Sequence, residues 1–366
     1  MCMRGLGKTI SRLTALSRAQ MAANADNDGR LAELRDFGGN PGALTARTYV
    51  PEGLADEAAL VVVLHGCTQS AVGYDRGSGW SQLADRHGFA VLFPEQNRAN
   101  NANLCLNWYQ PGDARRGKGE AASIAQMITH MRSKYRLDPA RTFVTGLSAG
   151  GAMTAVMLAA YPELFAGGAI IAGLPFASAD TLPEALERMR GQGGPGRSQL
   201  AARATAAAPQ GARVPTLSVW HGTRDTIVDP ANASAIVDQW RDLHGLGDAA
   251  GVGERVDGHR RTVWRDLGGR AVIERYDIDG MGHGTPLDTR GAEACGSAGP
   301  HMLDAGICST RRIAESWGLT GTTVERSKPR PQDQPSPSRQ AEPPMPAANG
   351  VGAVIEDALR KAGLMR

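Results

Sequence analysis

A mostly parallel α/β sheet with helices on both faces is the fold class this sequence predicts, and three observations carry it. Uncharged apolar runs such as ALVVVL at 59–64 suit strands buried on both sides. Such runs alternate with helix-period segments, the order that feeds parallel strands through crossover helices. Glycine is abundant, 46 of 366 residues or about 13% against a usual ~7%. It lacks the G-x-y period of collagen, so the glycines are expected in tight turns.

The elements follow in chain order. Leu44 to Val50 alternates in polarity and stops at Pro51, a strand, and Ala59 to Leu64 is a buried parallel strand. Trp80 to His87 reads as helix, and Gly88 separates it from strand Phe89 to Phe93. A Gly- and Asn-rich loop, NRANNANLCLNWYQPG at 97–112, comes next. Glu120 to Tyr135 places Ile124, Met127, Ile128 and Met131 on one helical face. Strand Thr142–Thr145, helix Ala149–Ala160 and strand Ala169–Ile171 repeat the alternation. Residues 142–162 carry no charge, yet Gly146, Gly150, Gly151 and the closing Pro162 divide them into strand and helix rather than one membrane span. Residues 181–213 interrupt the pattern and read as a small helical excursion over the sheet's edge. Strand Thr216–Trp220, helix Ala231–Leu243, strand Ala271–Ile278 and a helix around Ile313 complete it.

Composition bounds the function. With 42% apolar and 21% charged residues the chain is expected to bury a sizeable core. Lys and Arg (40) nearly balance Asp and Glu (37), so overall charge argues for neither nucleic acid nor a membrane as partner. In residues 1–29, Arg4, Lys8 and Arg12 break every apolar run, so no secretory signal is read there. Met3, Leu6, Ile10 and Leu13 instead form one face of a basic amphipathic helix, expected to pack on its own domain. The catalytic domain is expected at 30–320. Seven prolines between Pro329 and Pro346 mark 321–350 as an extended linker, and 351–366 reads as a short amphipathic helix. No C-x-x-C pair occurs among Cys2, Cys67, Cys105, Cys295 and Cys308, which argues against structural zinc. Cys67 with Cys105 and Cys295 with Cys308 form two bridges if the chain meets an oxidising compartment; in a reducing cytosol they stay free core thiols.

The most informative stretch is RTFVTGLSAGG at 141–151. It sets Ser148 in a Gly146-x-Ser-x-Gly150 pattern between an apolar strand and an apolar helix. A strand that turns into a helix within a few residues forces the serine into strained φ/ψ, and flanking glycines make room for neighbouring backbone. Such a serine needs a base to take its proton and an acid to orient the base. In the hydrolase fold built on this elbow the partners follow as Ser, then Asp or Glu, then His. Strand Thr216–Trp220 runs into HGTRD, placing Asp225 at its carboxyl end. Asp229, just before Pro230, is the runner-up and reads better as a helix cap. Strand Ala271–Ile278 leads to DGMGHG, where glycines leave His283 on an open turn; the other seven histidines have plainer readings as strand-end, helical or polar-loop residues. The oxyanion donors are expected to be the Ala149 N–H and, from the LHGCTQ loop after the first core strand, the Cys67 N–H. A Cys67–Cys105 bridge would pin that loop to the Asn-Trp-Tyr loop.

Taken together, LHGCTQ (64–69), CLNWYQP (105–111), GLSAGG (146–151), HGTRD (221–225), GMGHGTP (280–286) and DAGICSTRRIAESWGL (304–319) resemble the polyhydroxybutyrate depolymerase-type esterases of the α/β-hydrolase superfamily. The resemblance covers about residues 40–319. It implies a serine carboxylic-ester hydrolase without metal or organic cofactor, the triad Ser148, Asp225 and His283, and Cys67 as an oxyanion donor. It also implies Trp108 and His65 as substrate-binding residues, although a core role for Trp108 fits the bare sequence equally well. The family leans extracellular; the N-terminus gives no export signal, and the alternative is cytoplasmic. Many secreted depolymerases carry a separate polymer-binding domain beyond a linker, for which residues 351–366 are too few. Oligomers, amorphous polyester and other short-chain esters are therefore as well suited as crystalline polymer. Feruloyl and acetyl-xylan esterases share the family and form the alternative substrate class. A binding protein on the same scaffold would be expected to lack one of the three triad residues.

Overall fold

The structure, a computed structural model, describes residues 30–291 and 294–321. The expected N-terminal helix, the proline-rich stretch and the C-terminal helix lie outside them. Ten strands share one sheet: β1 (Ala32–Glu33), β2 (Thr45–Tyr49), β3 (Leu60–Leu64), β4 (Ala90–Glu95), β5 (Thr142–Leu147), β6 (Gly167–Ile171), β7 (Thr216–Gly222), β8 (Val252–Val256), β9 (His259–Arg265) and β10 (Ala271–Ile278). Their spatial order is β1-β2-β4-β3-β5-β6-β7-β10-β9-β8. Neighbours from β4 to β10 run parallel. The margins are antiparallel: β1 and β2 on one side, β9 and β8 on the other. A parallel pair of β11 (Thr285–Leu287) and β12 (Met302–Asp304) lies outside this sheet.

The central strands are apolar throughout because both faces are covered. Successive side chains of a strand point to opposite faces. Accordingly Leu60, Val62 and Leu64 of β3 join one apolar cluster while Val61 and Val63 join a second. Helices α3 (Gly119–Tyr135), α4 (Ala149–Ala160) and α7 (Ala231–Leu243) contribute to the first cluster. Helices α1 (Ala71–Ser78), α2 (Trp80–His87) and α8 (Ser309–Ser316) contribute to the second. There the Trp317 ring stacks between Trp80 and Phe143, with centroids at 5.9 and 4.7 Å. Each such buried ring contributes on the order of 2–3 kcal/mol from removal of apolar area from water. No helix among the described residues is long and apolar enough to cross a membrane.

The excursion at 181–213 forms α5 (Leu182–Met189) and α6 (Arg197–Ala207). It rests on α7 rather than on the sheet's edge. Gln239 of α7 donates to the Leu200 and Phe176 carbonyls, and Arg197 pairs with Asp242. Several elements escaped the sequence pattern, among them a helix and a hairpin. Helix α1 is capped by Ser70 but carries Gly73 and Gly77, which weaken a helical signal. The β8–β9 hairpin turns at Asp257 and Gly258, both at positive φ, the geometry that Asp-Gly favours. Strand β8 itself is mostly exposed, so no buried face marks it.

Candidate active site

Strand β5 enters helix α4 through Ser148, whose φ of 56° and ψ of −117° lie outside the ordinary regions. Two glycines make that turn possible. A Cβ on Gly146 would sit 2.4 Å from the Gly150 carbonyl oxygen, and one on Gly150 would sit 2.2 Å from the Leu64 oxygen. The Ser148 N–H donates to the Ile171 carbonyl at 2.9 Å, tying the elbow to β6. Ser148 is half-buried at the amino end of α4.

Asp225 and His283 leave the carboxyl ends of β7 and β10, the same edge of the sheet. Their loops are knitted together: Thr223 N–H donates to the Ile278 carbonyl and Arg224 N–H to the Met281 carbonyl, both at 3.0 Å. Gly222 must lack a side chain, since a Cβ there would lie 2.3 Å from the Met281 oxygen. So registered, His283 Nδ1 donates to Asp225 Oδ2 at 2.7 Å. The Asp225 side chain is fully buried and that of His283 nearly so. Burial alone would raise the Asp225 carboxyl. Hydrogen bonds from His221 and His283, and from the Val228 N–H, outweigh it and hold the group below the usual carboxylate range. Asp229, the runner-up, accepts from the Ala231 N–H at the start of α7 and is a helix-start residue.

The structure thus joins Asp225 to His283 by a hydrogen bond and sets Ser148 two strands away on the same edge. Between β5 and β7 lies β6, a span of about 10 Å at the usual strand spacing. Two histidines that the sequence reading passed over stand in this group. His221 Nε2 lies 3.3 Å from Asp225 Oδ2. His301, at a φ of 60°, donates from Nδ1 to the His283 carbonyl, its ring edge-on to that of His283 at 5.6 Å. Neither has a sequence signal: His221 belongs to HGTRD but looks like a strand-end residue, and His301 is distant along the chain.

The loop after β3 carries Cys67, joined to Cys105 by a disulfide with the Cα atoms 4.2 Å apart. Thr68 and Leu104 beside it take φ of 63° and 54°, and the Thr68 N–H donates to the Asn103 carbonyl at 2.7 Å. The Cys67 N–H has no acceptor among the described residues, and Ala149 opens α4, where a helix leaves its N–H groups unsatisfied. Both are therefore available to an oxyanion. Cys295 and Cys308 form the second disulfide. His65 is corrected: it is buried, its Nε2 accepts from the Gln96 N–H at 3.1 Å, and its Nδ1 donates to the Gly66 carbonyl at 2.8 Å. With both nitrogens taken and burial lowering its proton affinity, it braces the loop and has no ring nitrogen free for substrate. Beneath it Glu120 accepts from the Gln96 side chain and the Asn107 N–H, and burial pushes its carboxyl up to about 8.

Trp108 is 6% exposed and belongs to the core, with its remaining edge on a cleft of about 560 Å³. Tyr109, Phe176, Arg115, Arg116 and Arg203 share that wall, which contains neither Ser148 nor His283. Two of its lining residues follow site elements in the chain. Phe176 lies just beyond β6, whose last residue, Ile171, holds the Ser148 N–H, and Trp108 follows the bridged Cys105.

Residues 44–264 match the family described as esterase PHB depolymerase. The chain belongs to that family. It is a carboxylic-ester hydrolase on an α/β-hydrolase fold, and the family match spans Ser148 and Asp225 and ends before His283. It is 40% identical over 335 residues to poly(3-hydroxyalkanoate) depolymerase C of Paucimonas lemoignei, covering 88% of this chain and 80% of that one. It is 30% identical over 267 residues to feruloyl esterase B of Talaromyces funiculosus, covering 70% and 74%. Among solved structures, the acetyl xylan esterase from Aspergillus awamori superposes with a TM-score of 0.66 at 26% identity, over 79% of this chain and 99% of that one.

Proposed function

We propose that the chain cleaves hydroxyalkanoate ester bonds through an acyl-enzyme on Ser148. His283 takes the serine proton, the hydroxyl attacks the ester carbonyl, and the Cys67 and Ala149 N–H groups receive the oxyanion. His283 then returns the proton to the leaving alcohol, and water releases the hydroxy acid by the same steps. Asp225 holds the imidazole with its proton on Nδ1, leaving Nε2 free to act as base. The observation that carries this reading is the buried 2.7 Å Asp225–His283 hydrogen bond on the sheet edge that also bears the strained Ser148. The poly(3-hydroxyalkanoate) depolymerase relative at 40% identity supports the substrate class.

A second reading, hydrolysis of feruloyl or acetyl esters of plant polysaccharide, draws on the aromatic wall of Trp108, Tyr109 and Phe176 and on the feruloyl and acetyl xylan esterase relatives. Release of 3-hydroxybutyrate from amorphous film and from soluble oligomers separates the two when run beside methyl ferulate and acetylated xylan, with Ser148→Ala as blank. Film or oligomer hydrolysis above the other esters supports the depolymerase reading; activity confined to the ferulate or the xylan replaces it. The two disulfides fit an oxidising compartment and so an extracellular location. Fractionation that finds the activity only in the cytosol rejects export.

A further inference from the structure

His221 stands next to last in β7 with a fully buried imidazole. Its Nε2 lies 2.8 Å from the Val228 carbonyl and 3.3 Å from Asp225 Oδ2. A carbonyl only accepts, so Nε2 carries the proton and shares it between the two oxygens. Its Nδ1, also buried, has no hydrogen-bond partner among the described residues. The other side of the contact is complete. Asp225 Oδ1 accepts from the Ile227 and Val228 N–H groups, both at 2.9 Å, and Oδ2 accepts from His283, with His221 Nε2 3.3 Å away. Three hydrogen bonds and this fourth contact surround one carboxylate.

We propose that His221 is a positioning residue for catalysis: it anchors the same carboxylate oxygen that His283 uses, so that Asp225 keeps one rotation and His283 keeps its aim at Ser148. The inference rests on the triad reading above. Without His221, Oδ2 concentrates its charge on His283 alone and favours the imidazolium, so the base loses its proton at higher pH. The groups facing the pair are His221 from β7, the Ile227 and Val228 N–H groups, and His301 edge-on to His283.

The test uses the full chain with His221→Phe, His221→Gln and Ser148→Ala, reading kcat, KM and the pH profile on p-nitrophenyl acetate together with Tm. The Gln amide presents an N–H where Nε2 stood. His221→Phe is expected to lower kcat about 10- to 100-fold with KM within about 2-fold, and to move the acid limb up by about 0.5–1 pH unit. His221→Gln is expected to recover most of kcat and return the limb. A folded His221→Phe with wild-type kcat and limb overturns the proposal, as does an equal loss in both variants with the limb unmoved. If His221→Phe does not fold, His221→Asn replaces it, since its shorter amide does not reach Asp225. Asn is then expected to shift the limb and Gln not, and equal limbs overturn the proposal. Activity retained by Ser148→Ala would sink the triad itself, whereas a dead Ser148→Ala beside an unchanged His221→Phe sinks only the role of His221.

Discussion

The two disulfides staple regions of opposite character. Cys67–Cys105 joins two polar loops at the carboxyl edge of the sheet, above His65, Gln96 and Glu120, beside two backbone positions at positive φ. Cys295–Cys308 lies in the second apolar cluster, among the residues that also bury Trp80 and Trp317. The Cys308 sulfur also accepts the Arg311 N–H at the start of α8. Loop entropy assigns the two bonds similar worth. Separations of 38 and 13 residues correspond to about 4 and about 3 kcal/mol. What differs is what each restrains. Apolar packing holds the second region without its bridge, because burial is non-directional and shared over many contacts. The first bridge also packs against apolar side chains, but it joins loops that hold Thr68 and Leu104 at positive φ, so there it fixes the course of strained backbone.

The largest effect expected anywhere lies on the site side. Ser148→Ala should lower kcat on p-nitrophenyl acetate by on the order of 10⁴–10⁶, with the fold intact by circular dichroism. A residual rate within 100-fold of wild type would remove the activity from this edge. Next, replacing Cys67 and Cys105 together by Ala should cost about 4 kcal/mol in urea melts and lower kcat/KM about 10-fold or more. Replacing Cys295 and Cys308 should cost about 3 kcal/mol while kcat/KM of the folded variant stays within about 2-fold. Equal losses of activity at matched stability would erase the contrast between the two regions.

Stability against pH sharpens it further. Glu120, under the first bridge, has its carboxyl raised from 4.5 to about 8. The neutral form is the one the fold favours, so its contribution is fully present below about pH 4.5 and is lost as pH rises through about 8. Asp225 works in the opposite sense: held low, it contributes above its ordinary 3.8, and that contribution is lost as pH falls. Urea melts from pH 5 to pH 9 should show stability declining, and Glu120→Gln should flatten the decline; a slope unchanged in that variant would discard this account. The smallest effect is expected at the margin hairpin. Gly258, at a φ of 85° with nothing within 4 Å of a Cβ, should cost about 1 kcal/mol as Gly258→Ala, from backbone strain alone, with kinetics unchanged. A change in kcat there would tie the hairpin to the site.

Much of the central sheet was legible in the sequence because its strands are buried on both faces and its helices keep one apolar stripe. Both are local, periodic signals. Strand Ala271–Ile278 and helices Trp80–His87 and Ala231–Leu243 have the bounds the pattern predicts. The margins were less legible. Strand β8 has no buried face, and the Asp257-Gly258 turn signal sat between runs too polar to read as strands. At the site, Ser148, Asp225 and His283 were legible because each follows an apolar strand at a glycine-marked turn, and the structure brings the last two into contact. His65 was misread for the same reason. A strand-end histidine beside a glycine looks poised, but only its partners, Gln96 from β4's end and its own neighbour Gly66, reveal that it is spent.

By itself, then, the sequence determined the class of fold, the strained elbow and the chain order of Ser148, Asp225 and His283, since each depends on residues close together along the backbone. Only the tertiary structure decided which way side chains at strand ends face and which distant loops meet. His221 is turned inward onto Asp225, His301 is brought against His283, and Trp108 is sunk into the core with one edge left on a cleft. Those choices follow from sheet order and loop packing, in which residues far apart in sequence compete for the same buried space.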